Sequence, residues 1–134
     1  MASMITVLLV DDHAALRAGY RRLLEGDGDI RVVGEAADAA QACEFAEKLA
    51  PDVVVMDIAL PGASGLEATR RILARQPQLR VLVVSMHDEA VFASHALQAG
   101  AWGFVAKIGA PERLVQAIRS VAKGEPYLSA AVAP

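Results

Sequence analysis

The sequence ITVLLVDD, residues 5–12, joins a run of mostly branched apolar residues to two adjacent aspartates, Asp11 and Asp12. Three later apolar runs also end in a polar residue: Val53–Met56 precedes Asp57, Val81–Val84 precedes Ser85, and Phe104–Ala106 precedes Lys107. If every run is a buried parallel strand, these polar residues emerge at one edge of the sheet, where open α/β sheets bind ligands. The sequence therefore predicts a pocket of three carboxylates, a hydroxyl and an ammonium group.

Short apolar runs alternate with longer amphipathic stretches five times along the chain, a pattern typical of βαβ units and a parallel sheet. The strand order 2-1-3-4-5 makes the first and third strands neighbours, and only then do Asp11, Asp12 and Asp57 meet. We therefore predict a flavodoxin-like, doubly wound α/β fold with a five-stranded parallel sheet and five helices. The predicted strands are Ile5–Val10, Ile30–Glu35 (an edge strand), Val53–Met56, Arg80–Ser85 and Trp102–Ala106.

Helix boundaries follow from capping patterns and glycines. Asp38 with Gln41, and Ser64 with Glu67, have the spacing of capping boxes, and Asp88 is a candidate N-cap. The predicted helices are His13–Glu25, 38–49, 64–76, 88–99 and 111–123, each followed by Gly, Pro or a short polar segment. We expect Leu16, Tyr20, Leu23 and Leu24 to form the buried stripe of the first helix, and Leu114, Ile118 and Val121 that of the last.

Composition limits the class of protein. The chain has 134 residues, 54% of them hydrophobic, which is enough for the core of one domain. A net charge of −3 argues against nucleic-acid binding by this chain, because phosphate contacts need a basic face. The single cysteine cannot form an internal disulfide, which suits a cytoplasmic protein, and no apolar run approaches the roughly 18 residues of a membrane span.

The clustered carboxylates predict a metal ion. Two unit charges about 4 Å apart repel by roughly 1–4 kcal/mol at effective dielectric constants of 80 to 20, so a bound cation would relieve the cluster. Carboxylate oxygens without thiolate or imidazole select Mg²⁺, Mn²⁺ or Ca²⁺. A small number of protein ligands, with water in the other positions, favours Mg²⁺.

Asp57 differs from the other two acids because no helix follows it directly, so an N-cap role is not expected. A carboxylate at the mouth of the pocket can attack phosphorus and form an aspartyl phosphate. The metal and Lys107 would then offset charge on the phosphoryl oxygens, and Ser85 could donate a hydrogen bond to them. These residues predict phosphoryl transfer to the chain itself.

Four segments carry a family resemblance: VLLVDDH, VVVMDIALPGASGLEA, VLVVSMHD and AGAWGFVAK. Together they resemble the CheY-like receiver domain of two-component response regulators. The SMHD segment, the non-proline Ile108 and the closing KGEPYLS are similar to the NarL/FixJ (LuxR-type) subfamily. The resemblance implies phosphorylation of Asp57 by a sensor histidine kinase. It also implies direct Mg²⁺ ligation by Asp12, Asp57 and the Ala59 carbonyl, Asp11 acting through water, Ser85 and Phe104 as switch residues, and Lys107 paired with the phosphoryl group.

The resemblance also predicts the output of the protein. Residues 1–124 would form the receiver, and residues 125–134 a tail or the start of a linker to a helix-turn-helix domain absent from this chain. The parent protein would bind DNA through that domain, with homodimerisation on phosphorylation. Such a protein is a signalling switch, and the only reactions it catalyses are its own phosphorylation and dephosphorylation.

Three alternatives compete with this interpretation. A stand-alone receiver would act through protein–protein contacts alone. A Mg²⁺-dependent phosphatase of similar fold would need a second acid two residues after Asp57, where the chain has Ala59. A nucleotide- or flavin-binding module would need a Gly-rich or hydroxyl-rich first turn, whereas Asp11 and Asp12 repel phosphate without a metal. His13, His87 and His95 lack ligand spacing, and we expect ordinary surface roles for them.

Overall fold

The structure, a computed structural model, describes residues 4–86, 90–106 and 112–128. Strands and helices alternate along the chain. The elements are β1 (Ile5–Val10), α1 (Ala14–Glu25), β2 (Ile30–Ala36), α2 (Ala39–Leu49), β3 (Val53–Asp57), α3 (Gly65–Arg75), β4 (Arg80–Ser85), α4 (Ala90–Gln98), β5 (Gly103–Ala106), α5 (Glu112–Ala122) and β6 (Tyr127–Leu128). The predicted positions of Asp88 and Pro111 at helix N-termini lie outside the described residues.

All strands belong to one parallel sheet with the order β2-β1-β3-β4-β5-β6. The predicted order 2-1-3-4-5, the edge position of β2 and the doubly wound α/β class are confirmed. The predicted number of strands was wrong, because β6 pairs with β5 through Gly103 and Tyr127. A strand of two residues leaves no periodic pattern in the sequence, so only its pairing reveals it.

Helices cover both faces of the sheet. Leu8, Val10, Val54, Met56 and Phe104 pack with residues of α2, α3 and α4 in one core cluster. Their alternate neighbours on the strands pack with α1 and α5 in a second cluster, which contains the predicted stripe Leu114, Ile118 and Val121. None of the helices in the described ranges has both the length and the apolar character needed to cross a bilayer.

The predicted helix caps are present where the structure describes them. The side chain of Asp38 accepts a hydrogen bond from the Gln41 amide (2.8 Å), and that of Ser64 accepts one from the Glu67 amide (3.2 Å). Each cap satisfies a backbone donor that the first helical turn leaves unpaired, which is typically worth about 1 kcal/mol. Both helices therefore begin where local sequence chemistry places them.

One predicted buried residue and one predicted strand boundary were wrong. Leu16 is 36% exposed. Of the four residues predicted to form the buried stripe of α1, Leu24 is fully buried, and Tyr20 and Leu23 are partly buried. β5 begins at Gly103, one residue later than predicted, and Trp102 just before it is 36% exposed. The indole lies beneath the guanidinium of Arg80, 5.4 Å from the ring centroid, a cation–π contact at the start of β4.

The pairing of β2 with β1 contains a β-bulge-like register shift, after which the side chains of β2 face the opposite side of the sheet from that expected. Val7 pairs with Val32, whereas Leu8 pairs with Gly34, so Val33 is extra. Val32 packs on the α1–α5 face and Ala36 on the α2–α4 face, although strict alternation would put both on one face. Glu35 consequently points toward α1.

Candidate acidic metal centre

The carboxyl ends of β1 and β3 bring the three predicted acids together. Val10 pairs with Met56, so Asp11, which follows β1, lies beside Asp57, the last residue of β3. One carboxylate oxygen each from Asp11, Asp12 and Asp57, and one ring nitrogen of His13, all lie within 4.8 Å of one another. The cluster joins residues that are more than forty positions apart in the sequence only because β1 and β3 are adjacent.

The three acids differ in exposure. Asp11 and Asp57 are 3% and 4% exposed, whereas the Asp12 side chain is 33% exposed. Backbone amides from the same turns approach the buried pair: His13 donates to Asp11 Oδ1 (2.8 Å) and Ala59 donates to Asp57 Oδ1 (3.1 Å). Such bonds hold the orientation of each carboxylate.

His13 is a member of the cluster that sequence reasoning missed. Its Nδ1 lies 3.1 Å from Asp11 Oδ1 and 3.1 Å from Asp12 Oδ1, while 68% of its side chain is exposed. His13 is exposed, as expected for a surface residue, but it also contacts the two aspartates, which was not expected. Its position directly after the two aspartates was the available signal, because the turn folds the imidazole back over them.

The remaining predicted residues lie around the same edge of the sheet. Ser85 ends β4 and is fully buried, one residue beyond Val84, which pairs with Asp57. Phe104 lies in β5 and is also fully buried, so its side chain points into the core in this structure. Ala59 is exposed in the turn after β3. Lys107 and Ile108 lie outside the described residues.

The donor set fits a hard divalent cation. Mg²⁺–oxygen distances of about 2.1 Å place opposite ligands about 4.2 Å apart, and Ca²⁺ allows about 5 Å. The observed limit of 4.8 Å lies between these spacings, so small side-chain movements or a bridging water would complete either shell. The cluster can therefore bind a metal ion, with carboxylate oxygens as the preferred donors and His13 as a neighbour rather than a hard ligand.

The segment that follows Asp57 packs tightly against it. The amide of Gly65, the first residue of α3, donates to the Ile58 carbonyl (2.9 Å). A Cβ atom at this glycine would lie 2.0 Å from the carbonyl oxygen of Asp57 and 2.9 Å from the Cα of Ile58. Only glycine lets the N-terminus of α3 approach the backbone of Asp57 this closely.

Comparison with known proteins decides the family. Residues 7–119 match the response regulator receiver domain. The chain belongs to this family. The match covers most of β1 and all of β3, β4 and β5, and therefore all the strand ends that form the acidic centre.

Relatives of this receiver domain belong to the predicted subfamily. The chain is 44% identical to the response regulator UvrY of Escherichia coli K12, over 97% of this chain and 60% of UvrY. A LuxR-family response regulator of Aurantimonas sp. SI85-9A1 has 44% identity and a TM-score of 0.94, covering 97% of this chain and 93% of that one. The receiver domain of NarL from Mycobacterium tuberculosis has 36% identity and a TM-score of 0.87, covering 92% and 99%. The chain thus spans less than two thirds of the length of the curated relative UvrY.

Proposed function

We propose that Asp57 of this receiver domain accepts a phosphoryl group in a Mg²⁺-dependent reaction, with a sensor histidine kinase as donor. The observation that carries the proposal is the meeting of Asp57 with Asp11 and Asp12 at the carboxyl ends of β1 and β3. A nucleophilic carboxylate next to a cation site has the arrangement that phosphoryl transfer requires.

Mg²⁺ would be held by Asp12, Asp57 and the carbonyl of Ala59, with Asp11 acting through water. The Ala59 amide donates a hydrogen bond to Asp57, so the turn after β3 is folded back toward this acid. This fold supports the Ala59 carbonyl as a metal ligand. When bound, Mg²⁺ would offset negative charge on the transferring phosphoryl oxygens. His13 would remain a hydrogen-bonding neighbour of the acids.

In the reaction, a carboxylate oxygen of Asp57 attacks phosphorus, an O–P bond forms, and the P–N bond to the kinase histidine breaks. Asp57 needs no general base, because a carboxylate is ionised near neutral pH. Ser85 would then move toward the phosphoryl oxygens and, with Lys107, contact them, and Phe104, which is already buried in this structure, would be the switch aromatic. The change at the strand ends would bias a pre-existing equilibrium between two conformations.

For the whole protein, we propose control of transcription. The resemblance assigns residues 1–124 to the receiver and 125–134 to a linker, and UvrY extends well beyond the aligned part. A LuxR-type helix-turn-helix domain would bind DNA, with homodimerisation on phosphorylation. The net charge of −3 of this chain is consistent with DNA contacts made by another domain.

The function is tested by incubating the chain with labelled acetyl phosphate, a small phosphoryl donor, in the presence of Mg²⁺ or of excess EDTA. We expect label on Asp57 only with Mg²⁺, located by mass spectrometry of peptides. Label on another residue, or equal labelling in EDTA, would overturn the proposal.

Metal binding is expected to stabilise the domain measurably. Ligand that binds only the folded state adds stability in proportion to ln(1 + [L]/Kd), about 2.7 kcal/mol at 100 Kd. We therefore expect Mg²⁺ to raise the melting temperature of the wild type and to do much less for Asp12→Asn, as measured by differential scanning calorimetry. An equal rise in both proteins would remove Asp12 from the metal site.

A further inference from the structure

Arg17, on the first turns of α1, connects the acidic turn to the edge strand. Its Nη1 donates to the main-chain oxygen of Asp11, and its Nε donates to Oε1 of Glu35 at 3.0 Å. The Arg17 side chain is only 17% exposed, and together with Asp11 and Asp57 it lines a small cavity beside the acidic centre.

The contact with Asp11 falls on the peptide unit that matters for metal binding. The Asp11 carbonyl belongs to the peptide plane that joins Asp11 to Asp12. Since the peptide unit is planar, holding its oxygen restricts the rotations on either side, and these set the relative directions of the two carboxylates. The Asp11 amide is held as well, by the Ala36 carbonyl at 3.0 Å. The backbone of the acidic turn is thus fixed from both sides.

Glu35 orients Arg17. Its second oxygen, Oε2, accepts a hydrogen bond from Arg21 at 2.7 Å, so each carboxylate oxygen holds one arginine. The hydrogen bond from Arg21, and then that from Arg17, hold the pKa of Glu35 below its usual value against the opposing effect of burial. The carboxylate is therefore ionised at neutral pH, and the planar guanidinium of Arg17 is locked between two acceptors.

Arg17 could affect the metal centre either through its charge or by positioning the acidic turn, and the charges around it favour positioning. Arg17 and Arg21 are matched by Glu35 and by Glu25, which lies 3.4 Å from Arg21 Nε. The group of four side chains has no net charge, so its long-range field at the metal centre is small. What Arg17 supplies is geometry: a donor fixed at the carbonyl between the two acids.

We infer that Arg17, oriented by Glu35, is a positioning residue that holds Asp11 and Asp12 in the arrangement that binds the divalent cation. The inference rests on the proposed function, since it names a residue on which the affinity of that same site depends. The metal centre would then depend on residues beyond the strand ends: Arg17 of α1 and Glu35 of β2.

The test is a Mg²⁺ titration of wild type, Arg17→Gln and Arg17→Lys, followed by NMR through the amide resonances of His13 and Ala59. Residues that orient metal ligands typically change affinity 10–100-fold when they are replaced. We expect the Kd for Mg²⁺ to rise about tenfold in both variants, because a lysine ammonium keeps the charge but has all its donors on one nitrogen and lacks the planar fork with which Arg17 contacts Asp11 and Glu35.

Arg119→Gln is the matched control. Arg119 also bridges elements, through Asp27 (2.8 Å) and Asp29 (3.0 Å), but at the start of β1, where the Asp29 carbonyl accepts from the Ile5 amide. This variant removes an arginine ion pair without touching the acidic turn, so we expect an unchanged Kd. Melting temperatures of all the variants report any general loss of stability.

Glu35 provides a second pair of variants. Glu35→Gln keeps an acceptor for Arg17, whereas Glu35→Ala removes it, so the alanine variant should show the larger rise in Kd. If wild type binds Mg²⁺ and the Arg17 variants bind equally well, the inference is overturned while the proposed function stands. Tighter binding by Arg17→Gln alone would mean that Arg17 acts through charge, which also overturns it. Absence of Mg²⁺ binding by wild type would overturn the proposed function itself.

Discussion

Asp57→Asn is expected to abolish phosphoryl transfer to the chain, with label from acetyl phosphate or a kinase falling at least about 100-fold, because an amide is not a nucleophile toward phosphorus. The same variant should be more stable than wild type without metal. Removing one charge from a cluster within 4.8 Å relieves repulsion on the order of 1–3 kcal/mol per pair. Labelling and urea denaturation in EDTA measure the two effects.

Asp38→Asn is the control for Asp57→Asn. It removes the same charge at the N-cap of α2, where asparagine caps about as well as aspartate. We expect wild-type labelling and nearly unchanged stability. Retained labelling of Asp57→Asn would place the phosphoryl group elsewhere. A loss of stability in that variant would mean that Asp57 serves structural hydrogen bonds more than it suffers from repulsion.

Gly65→Ala is expected to damage the same site from the backbone side. The added Cβ would lie 2.0 Å from the carbonyl oxygen of Asp57, and the nearby atoms are all backbone, so α3 or the end of β3 must move. Overpacking of this kind typically costs about 1–3 kcal/mol, and we expect at least that loss of stability. We also expect slower labelling, because the displaced carbonyl belongs to the phosphoacceptor itself.

Gly19→Ala is the same type of substitution, but it is expected to stabilise the domain. Gly19 lies inside α1, and a Cβ there would meet no heavy atom within 4 Å. Alanine in a helix interior should stabilise by about 0.5–1 kcal/mol and leave labelling unchanged. If Gly65→Ala proved as stable as wild type, the close approach of α3 to Asp57 would be wrong.

Much of the fold could be predicted from local sequence. Apolar runs such as Val53–Met56 are long enough to be buried strands, and Asp38 and Ser64 mark helix starts through bonds to residues three positions on. The meeting of Asp11 with Asp57 was also predictable, because parallel strands end at the same edge. The family comparisons confirm the receiver domain, whereas the roles of Ser85, Phe104 and Lys107 stay predictions.

The missed features depend on contacts that no local pattern records. Trp102 was predicted to begin β5, yet the strand begins after it, and the guanidinium of Arg80 lies over the ring. The short strand β6 exists only through its pairing with Gly103. His13 joined the acids because of how one turn folds, which spacing alone did not indicate.

The sequence by itself determined the parallel α/β arrangement and the acids at the strand ends, because burial periodicity and capping act over a few residues. Only the tertiary structure decided that Glu35 faces α1 and holds Arg17 against the acidic turn, a contact across 18 positions. The physical reason is the extra residue at Val33. It reverses the alternation of β2, and nothing in the side-chain pattern of that strand reveals where its pairing with β1 slips.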